Sequence, residues 1–213
     1  MANDKGKFAS REIISMFPTF VWQSMIEEEI YQTMNKDIVT KLETLRQTSP
    51  EVDLNVSWQS AGDLHKFTEF KELMSLIRET TESVFSFLKV GYEGFEITGC
   101  WANMNAPGGT HKIHSHPNNF LSGVYYVATD EGADTVNFHD PRIQSGIIRP
   151  PVTELVAENT DQVVVRISNG MFLLFPSWFQ HSVDVNQSPR TRISISFNIM
   201  FSSYVEAMSK PLW

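Results

Sequence analysis

The spacing of apolar residues changes once along the chain, near residue 95. Before that point, apolar residues recur at steps of three and four in two segments, from Met25 to about Leu45 and from about Phe67 to Leu88. This spacing places apolar side chains on one face of an α-helix, and that face has to be buried. The sequence therefore predicts two amphipathic helices in the first part of the chain.

From Phe95 onward, apolar and polar residues alternate in segments that Gly, Pro, Asn and Asp interrupt. Eight such segments are predicted to be strands: Phe95–Met104, Thr110–His116, Leu121–Ala128, Thr135–His139, Gln162–Ile167, Met171–Phe175, Phe179–Val185 and Thr191–Phe201. Eight short strands of this kind are typical of a jelly roll, in which two sheets face each other. We therefore expect a mostly β fold of the α+β class, a double-stranded β-helix with two N-terminal helices packed outside.

The chain length favours one domain. At 213 residues and 41% hydrophobic content, the chain can bury one core but is short for two full domains. We expect residues 1–213 to form a single domain, with 1–93 as a helical N-terminal support and 94–202 as the double-stranded β-helix core. Residues 140–161 contain three prolines and are predicted to form an insert or lid between the fourth and fifth strands.

The composition excludes several functions. A net charge of -8 argues against broad binding of duplex nucleic acid, which needs clustered Lys and Arg. The single cysteine, Cys100, excludes an intrachain disulfide and a Cys-rich zinc site. Because the sequence shows neither an apolar leader nor an apolar run of about 18 residues, we expect a cytoplasmic protein without a membrane partner. A small molecule or peptide is the expected substrate, and the apolar residues 202–213 suggest a possible homodimer.

Three histidines are the first candidates for chemistry. His114 and His116 are separated by one residue, so their side chains leave an extended strand on the same face. One strand can thus supply two ligands to one metal, and His181, on another predicted strand, is the candidate for the third. The sequence predicts a metal centre formed by these three imidazoles.

The surrounding glycines and proline strengthen this prediction. The spacing from Gly108 to His114 and His116 resembles the first cupin motif, G-x5-H-x-H. Gly170, Pro176 and His181 resemble the second motif, G-x5-P-x4-H. The glutamate of the first motif is missing, however, and a Trp stands where the second motif has Gly. The resemblance implies a metal-holding barrel that differs from a standard cupin.

Arg192 and Ser194 follow His181 at a spacing that points to a specific cosubstrate. The pattern H-x10-R-x-S that begins at His181 resembles the C-terminal signature of the 2-oxoglutarate- and Fe(II)-dependent oxygenases. The guanidinium of Arg offers a planar fork of donors to a carboxylate, and Ser194 adds a hydroxyl on the same face. A buried Arg in an apolar strand needs a carboxylate partner. That partner is either the distal carboxylate of 2-oxoglutarate or an internal Asp or Glu.

The resemblance extends over nearly the whole chain. The segment HSHPNNFLSGVYYV is similar to the prolyl-hydroxylase-like branch of these oxygenases. Together with MFPTFVW, WANMN, FHDPR, LLFPSWFQHSV and RISISFN, it resembles a small family of 2OG-Fe(II) oxygenases whose substrates are largely unassigned. The resemblance implies Fe(II) and 2-oxoglutarate as cofactors and a hydroxylase reaction that yields succinate and CO2. The candidate cosubstrate-binding residues are Arg192, Ser194, Tyr126, Ser122 and Asn103.

The third metal ligand stays open at this point. The family usually has a carboxylate where this chain has His116. His116 could complete a neutral three-His site, or it could point away while water fills the position. Alternatively, Asp140 could swing in from the turn after the fourth strand.

Three other residues are candidates for substrate or lid contacts: Arg142, Trp178 and Asn105.

Two other functional classes also fit the motifs. One is a cupin-type metal enzyme without 2-oxoglutarate, either an isomerase or a three-His dioxygenase, in which Arg192 would meet a protein carboxylate. The other is a metal-free jelly-roll binding module.

Overall fold

The computed structural model describes residue 8 and residues 10–48 and 57–205. Within these ranges the strands are β1 (Trp22–Met25), β2 (Trp58–Gln59), β3 (Phe95–Asn105), β4 (His111–His114), β5 (Leu121–Ala128), β6 (Thr135–His139), β7 (Gln162–Arg166), β8 (Met171–Pro176), β9 (His181–Val183) and β10 (Arg192–Phe201). The α-helices are α1 (Glu28–Gln47), α2 (Lys71–Leu88) and α3 (Ser202–Val205), and short 3-10 helices occupy Leu64–Lys66, Thr68–Phe70 and Ile143–Gly146. Each of the eight predicted strands is present, with shifted ends in several cases.

The strands form two antiparallel sheets. The major sheet has the order β1-β8-β5-β10-β3-β2, and the minor sheet has the order β4-β9-β6-β7. From β3 to β10 the chain alternates between the sheets, except at the β6–β7 hairpin, which stays within the minor sheet. This is the topology of a double-stranded β-helix, so the predicted fold class is confirmed.

The N-terminal region contributes more than helices. β1 pairs with β8, and β2 pairs with β3, so both edges of the major sheet come from the first 60 residues. The predicted start of the first helix at Met25 is therefore wrong, because Met25 ends β1 and α1 begins at Glu28. Such short edge strands carry little periodicity of their own and form because an exposed sheet edge is available to pair with.

The two helices cover the outer face of the major sheet. Their buried side chains, including Ile38 and Leu42 of α1 and Ile77 of α2, share one core cluster with the outward-facing residues of β3, β5 and β10. Asn35 of α1 adds a polar link, since it donates to the carbonyl of Val127 at 2.9 Å and accepts from the hydroxyl of Tyr125 at 2.6 Å. A second cluster fills the space between the sheets. The helices thus brace the sheet from outside and leave the interior of the barrel available for a site.

Gly123 on β5 should be intolerant of a side chain. A Cβ at this position would lie 2.3 Å from Cζ of Phe197 and 3.0 Å from the carbonyl oxygen of Leu173. We expect Gly123→Ala to lower the free energy of unfolding by about 1–3 kcal/mol through overpacking. Gly146→Ala is the control, because no atom lies within 4 Å of a Cβ added at that position. Denaturant unfolding of both variants tests this, and equal stability would contradict the packing of Phe197 against β5.

The predicted insert lies between two strands of the minor sheet. Residues 140–161 link β6 to β7 and contain one short 3-10 helix. Residues 206–213, which carry most of the predicted dimer contact, lie outside the described residues. Among the helices that the structure describes, none combines the length and apolar character needed to cross a bilayer.

Candidate active site

A cavity of about 490 Å³ lies between the two sheets. Both sheets contribute to its wall, and the contributing side chains include seven predicted site residues. These are His114, His116, His181, Arg192, Ser194, Tyr126 and Asn103. The barrel therefore brings most of the candidates from distant parts of the chain into one place.

Strand pairing positions the three predicted metal ligands. His114 ends β4 and His181 begins β9, and the two residues are direct partners in the minor sheet. His116 lies two residues past His114, where its backbone N–H donates to the carbonyl of Ser177 at 2.8 Å. Each imidazole offers one nitrogen to the group, and these three atoms lie within 4.8 Å of one another.

Backbone carbonyls orient two of the rings. Nδ1 of His114 lies 2.7 Å from the carbonyl oxygen of Lys112, and Nδ1 of His181 lies 3.0 Å from that of Phe179. Because a carbonyl only accepts hydrogen bonds, each Nδ1 carries the proton and each Nε2 presents a lone pair. This is the arrangement by which proteins fix the tautomer of metal-binding histidines.

The ring of His116 turns toward the other two rings. Its Nε2 lies 3.4 Å from Nε2 of His181, and the ring centroids of His116 and His114 are 5.1 Å apart. Two imidazole nitrogens that approach this closely need a proton or a cation between them. The geometry thus fits a neutral three-His site and does not fit a His116 that points away.

Asp140 is not in a position to replace His116. Its carboxylate accepts two hydrogen bonds from the guanidinium of Arg142, both at 2.9 Å, and a third from the backbone N–H of Arg142. Asp140 contributes to a separate cavity under the insert and does not line the cavity that holds the imidazoles. The proposal that Asp140 swings in is therefore not supported, because a guanidinium fork already holds its carboxylate.

Arg192 is the most unusual charge in the cavity. It is 2% exposed, and no carboxylate among the described residues lies within ion-pair distance of it. Its Nε has no hydrogen-bond partner in the described part of the chain, and its guanidinium carbon lies 5.3 Å from the ring centroid of Tyr126. Burial lowers the pKa of Arg192. An unpaired buried cation is costly, so this position fits an anionic ligand.

Tyr126 adds a second unsatisfied group beside Arg192. Its hydroxyl is buried and makes no hydrogen bond of good geometry with the described residues, although it lies close enough to the side chain of Arg192 to interact with it. Burial raises the pKa of Tyr126 to about 12, although the charge of Arg192 acts in the opposite direction. The hydroxyl therefore stays protonated at neutral pH and can donate to the same anion.

The remaining cosubstrate candidates divide into two groups. Ser194 and Asn103 are buried in the cavity wall, where Asn103 donates to the hydroxyl of Ser196 at 3.0 Å. Ser122 does not line the cavity, because the strand register places it opposite Asn198, to whose side chain it donates at 2.8 Å. The prediction for Ser122 is thus corrected: it lies farther along the barrel than Arg192.

The predicted substrate and lid residues lie outside the cavity wall. Asn105 is fully buried and donates to the hydroxyl of Ser57 at 2.7 Å. Trp178 is half exposed and packs against Phe179, with ring centroids 5.7 Å apart. The side chain of Arg142 is 72% exposed and pairs with Asp140. These three positions do not support the predicted contacts with a substrate in this cavity.

Sequence reasoning missed His111 as a lining residue. Strict alternation places it on the opposite face from His114, but the pairing of β4 with β9 is irregular between these two residues. His111 consequently faces the cavity, with Nε2 3.4 Å from Nδ2 of Asn105. Trp101 also lines the cavity, 5.7 Å from the ring of His116 and two residues before Asn103 on β3. Alternation with Asn103 could have indicated Trp101, whereas the irregularity that turns His111 is visible only in the tertiary pairing.

The buried histidines predict acid sensitivity. Burial lowers the pKa of His111 and His116 to about 4 and that of His181 to about 3. These pKa values lie below the pKa of histidine in the unfolded chain, about 6.5. The stability that the neutral rings contribute is therefore fully present above about pH 6.5 and is lost as the pH falls toward the folded-state values. As the pH falls from 7 to 5.5, each of the three histidines should lower the free energy of unfolding by about 1 kcal/mol. Solvent in the cavity screens these effects, so we expect a total loss of about 2 kcal/mol.

Thermal unfolding of chelator-treated protein measures this loss. The His111→Gln variant should lose about a third of the pH dependence, because its amide does not titrate. A melting temperature that is constant from pH 7 to 5.5 would contradict the burial of these rings.

Comparison with known proteins agrees with the fold and the motifs. Residues 99–198 match the model of a family described as "Putative 2OG-Fe(II) oxygenase". A search of curated proteins gave no match. Among solved structures, a Pseudomonas putida prolyl-4-hydroxylase is similar with 14% identity and a TM-score of 0.58, over 86% of this chain and 93% of that one.

Two other solved structures share the fold as well: HygX from Streptomyces hygroscopicus, and SnoK from nogalamycin biosynthesis. HygX, whose crystal structure holds nickel and 2-oxoglutarate, has 10% identity and a TM-score of 0.58, over 86% of this chain and 83% of HygX. The α-ketoglutarate-dependent carbocyclase SnoK has 13% identity and a TM-score of 0.61, over 92% of this chain and 90% of SnoK. At these identities the likeness concerns the fold alone.

Proposed function

We propose that this chain, which its family match and its fold indicate to be a 2OG-Fe(II) oxygenase, hydroxylates an organic substrate with Fe(II) and 2-oxoglutarate. One observation carries the proposal. The cavity combines a cluster of three histidines with a buried arginine that has no carboxylate partner among the described residues. A dianionic cosubstrate that also chelates a metal satisfies both features at once.

The residues present fit both cofactors. His114, His116 and His181 would hold Fe(II), which accepts imidazole ligands in facial sites. Arg192 and the hydroxyl of Tyr126 would hold the distal carboxylate of 2-oxoglutarate, since both have unused donors in the cavity wall. Ser194, two residues from Arg192 on the same face of β10, would add a hydroxyl donor.

The chain's own part in the reaction is binding and orientation. Iron and 2-oxoglutarate, when bound, supply the oxidising chemistry, which converts 2-oxoglutarate and dioxygen to succinate and CO2 as the substrate is hydroxylated. Arg192 and Tyr126 fix the far end of the cosubstrate, and so they set the position of its other end relative to the imidazoles. The carbonyls of Lys112 and Phe179 keep two imidazoles in the tautomer that can bind metal.

Arg192 also bears on the alternative of a cupin-type enzyme that does not use 2-oxoglutarate. In such an enzyme the arginine would pair with an Asp or Glu of the protein. Within the described ranges no such pair is present, and burying a guanidinium without one is unfavourable. The unpaired arginine therefore favours the oxygenase.

Anaerobic titration tests the proposal. Protein loaded with Fe(II) should develop a weak visible absorption band on addition of 2-oxoglutarate, because a keto acid that chelates Fe(II) gives a charge-transfer transition. On exposure to air, the sample should then form succinate slowly without added substrate. If neither the band nor succinate forms in protein that holds iron, the proposed function is wrong.

A further inference from the structure

The charges that line the cavity are all of one sign. The chain has 25 acidic residues and a net charge of -8, but no Asp or Glu is among the described residues that line the cavity. The charged side chains in the wall are Arg192 and Lys112. Carboxylates are thus absent from the described wall of this cavity, although the chain as a whole is acidic.

Lys112 lies at the solvent side of this wall. It is exposed, and it lines the cavity between His111 and His114, which line it as well. It makes no ion pair with a carboxylate in the described part of the chain. Its ammonium group is therefore available to a molecule that enters the cavity.

A charge count shows that the cosubstrate leaves this cation unused. Three neutral imidazoles add no negative charge, whereas the usual facial triad includes one carboxylate. Fe(II), Arg192 and Lys112 together carry more positive charge than the two negative charges of 2-oxoglutarate balance, and Lys112 keeps no partner when the distal carboxylate pairs with Arg192. The loaded cavity is therefore more positive, by one unit, than a site with a carboxylate ligand would be.

We propose that the substrate carries an anionic group, a carboxylate or a phosphate, which Lys112 binds at the mouth of the cavity. Trp101, whose ring lines the cavity 5.7 Å from the ring of His116, contacts the apolar part of the substrate next to the metal. The reacting carbon then lies between the anionic anchor and the imidazoles. This inference rests on the proposed function and assigns a substrate class to its site.

Paramagnetic relaxation tests the inference without turnover. Mn(II) replaces Fe(II) in the three-His site, and 2-oxoglutarate is present at saturation so that Arg192 is occupied. The probes share a phenyl ring and differ in charge: phenylacetate, phenyl phosphate, neutral phenylacetamide and cationic phenethylamine. Mn(II) broadens the proton resonances of any probe that binds near it, so proton relaxation rates measure occupancy of the substrate side of the cavity.

We expect one or both anionic probes to bind about tenfold more tightly than phenylacetamide, as one partly exposed charge pair implies. Phenethylamine should bind most weakly. Comparison of the two anions distinguishes a carboxylate site from a phosphate site.

Two variants identify the responsible cation. Lys112→Met keeps the length of the side chain and should remove the preference for anions, while Lys112→Arg should retain it. Lys36→Met is the matched control, because Lys36 is exposed on α1 and does not line the cavity.

The possible failures are distinguishable. If no anion is preferred, or if Lys112→Met keeps the preference, the substrate class is wrong. If no probe shows relaxation enhancement, the proposed substrate class is also wrong, because this method detects binding in the millimolar range. Binding of 2-oxoglutarate is measured in the same samples by calorimetry, and its absence would overturn the proposed function instead.

Discussion

The Arg192→Met variant should bind 2-oxoglutarate at least about 100-fold more weakly than the wild-type protein. Arg192 is buried and has no carboxylate partner among the described residues, so the cosubstrate would supply its counter-ion. Removing one partner of a buried, hydrogen-bonded ion pair costs about 3–5 kcal/mol, which exceeds a hundredfold loss of affinity. Calorimetric titration of the Mn(II)-loaded protein measures the change.

The same substitution should stabilise the protein without cosubstrate. Methionine fills a similar volume and has no charge, so the variant avoids the cost of an unpaired buried guanidinium. We expect the free energy of unfolding of the ligand-free variant to rise by about 1–2 kcal/mol. An increase in stability combined with a loss of binding is the mark of a residue kept for its ligand.

Arg192→Lys and metal affinity are the controls for this variant. Lysine keeps the charge but not the planar fork, so its loss of affinity should be smaller, about tenfold. Mn(II) affinity without 2-oxoglutarate should stay within about threefold of wild type, because Arg192 is not among the clustered imidazoles. Loss of metal binding in Arg192→Met would instead indicate a structural role.

The His116→Ala variant should bind Fe(II) at least about 100-fold more weakly than wild type. His116 supplies one of the three clustered ring nitrogens, and its Nε2 lies 3.4 Å from that of His181. Removing a direct ligand should cost more than removing the partner of a ligand, which costs about 10–100-fold. Anaerobic equilibrium dialysis with Fe(II) measures the affinity.

Two further variants decide between the possible third ligands. His116→Asp restores the carboxylate of the usual facial triad and should recover most of the affinity. Asp140→Asn should bind Fe(II) as wild type does, since Arg142 holds that carboxylate outside the cavity. Wild-type affinity in His116→Ala, or a large loss in Asp140→Asn, would contradict the three-His site.

Local patterns predict the strands of this fold well. The segments Leu121–Ala128 and Thr135–His139 are predicted with the bounds that the structure shows, because alternation and flanking turn residues act over a few neighbours. β1 and β2 escape prediction for the opposite reason. Each is short, and its strand conformation depends on an edge that residues more than 40 positions away provide.

The candidate site divides in the same way. Spacing along one strand predicts that His114 and His116 share a face, and motif spacing adds His181 and Arg192. Spacing does not predict His111, because an irregularity in the pairing of β4 with β9 turns it into the cavity. Spacing also fails to exclude Ser122 from the cosubstrate site, although the strand register places its hydroxyl against Asn198.

The sequence by itself thus determined the type of fold, the imidazole ligands to test and the resemblance to the 2-oxoglutarate oxygenases. These depend on residue spacing, which is a property of single strands and turns. Only the tertiary structure decided that the ring of His116 joins the cluster, that Arg142 holds Asp140 away from it, and that Arg192 lacks a protein counter-ion within the described ranges. Those answers depend on which side chains meet across the sheets, and this is set by register, burial and competition for partners.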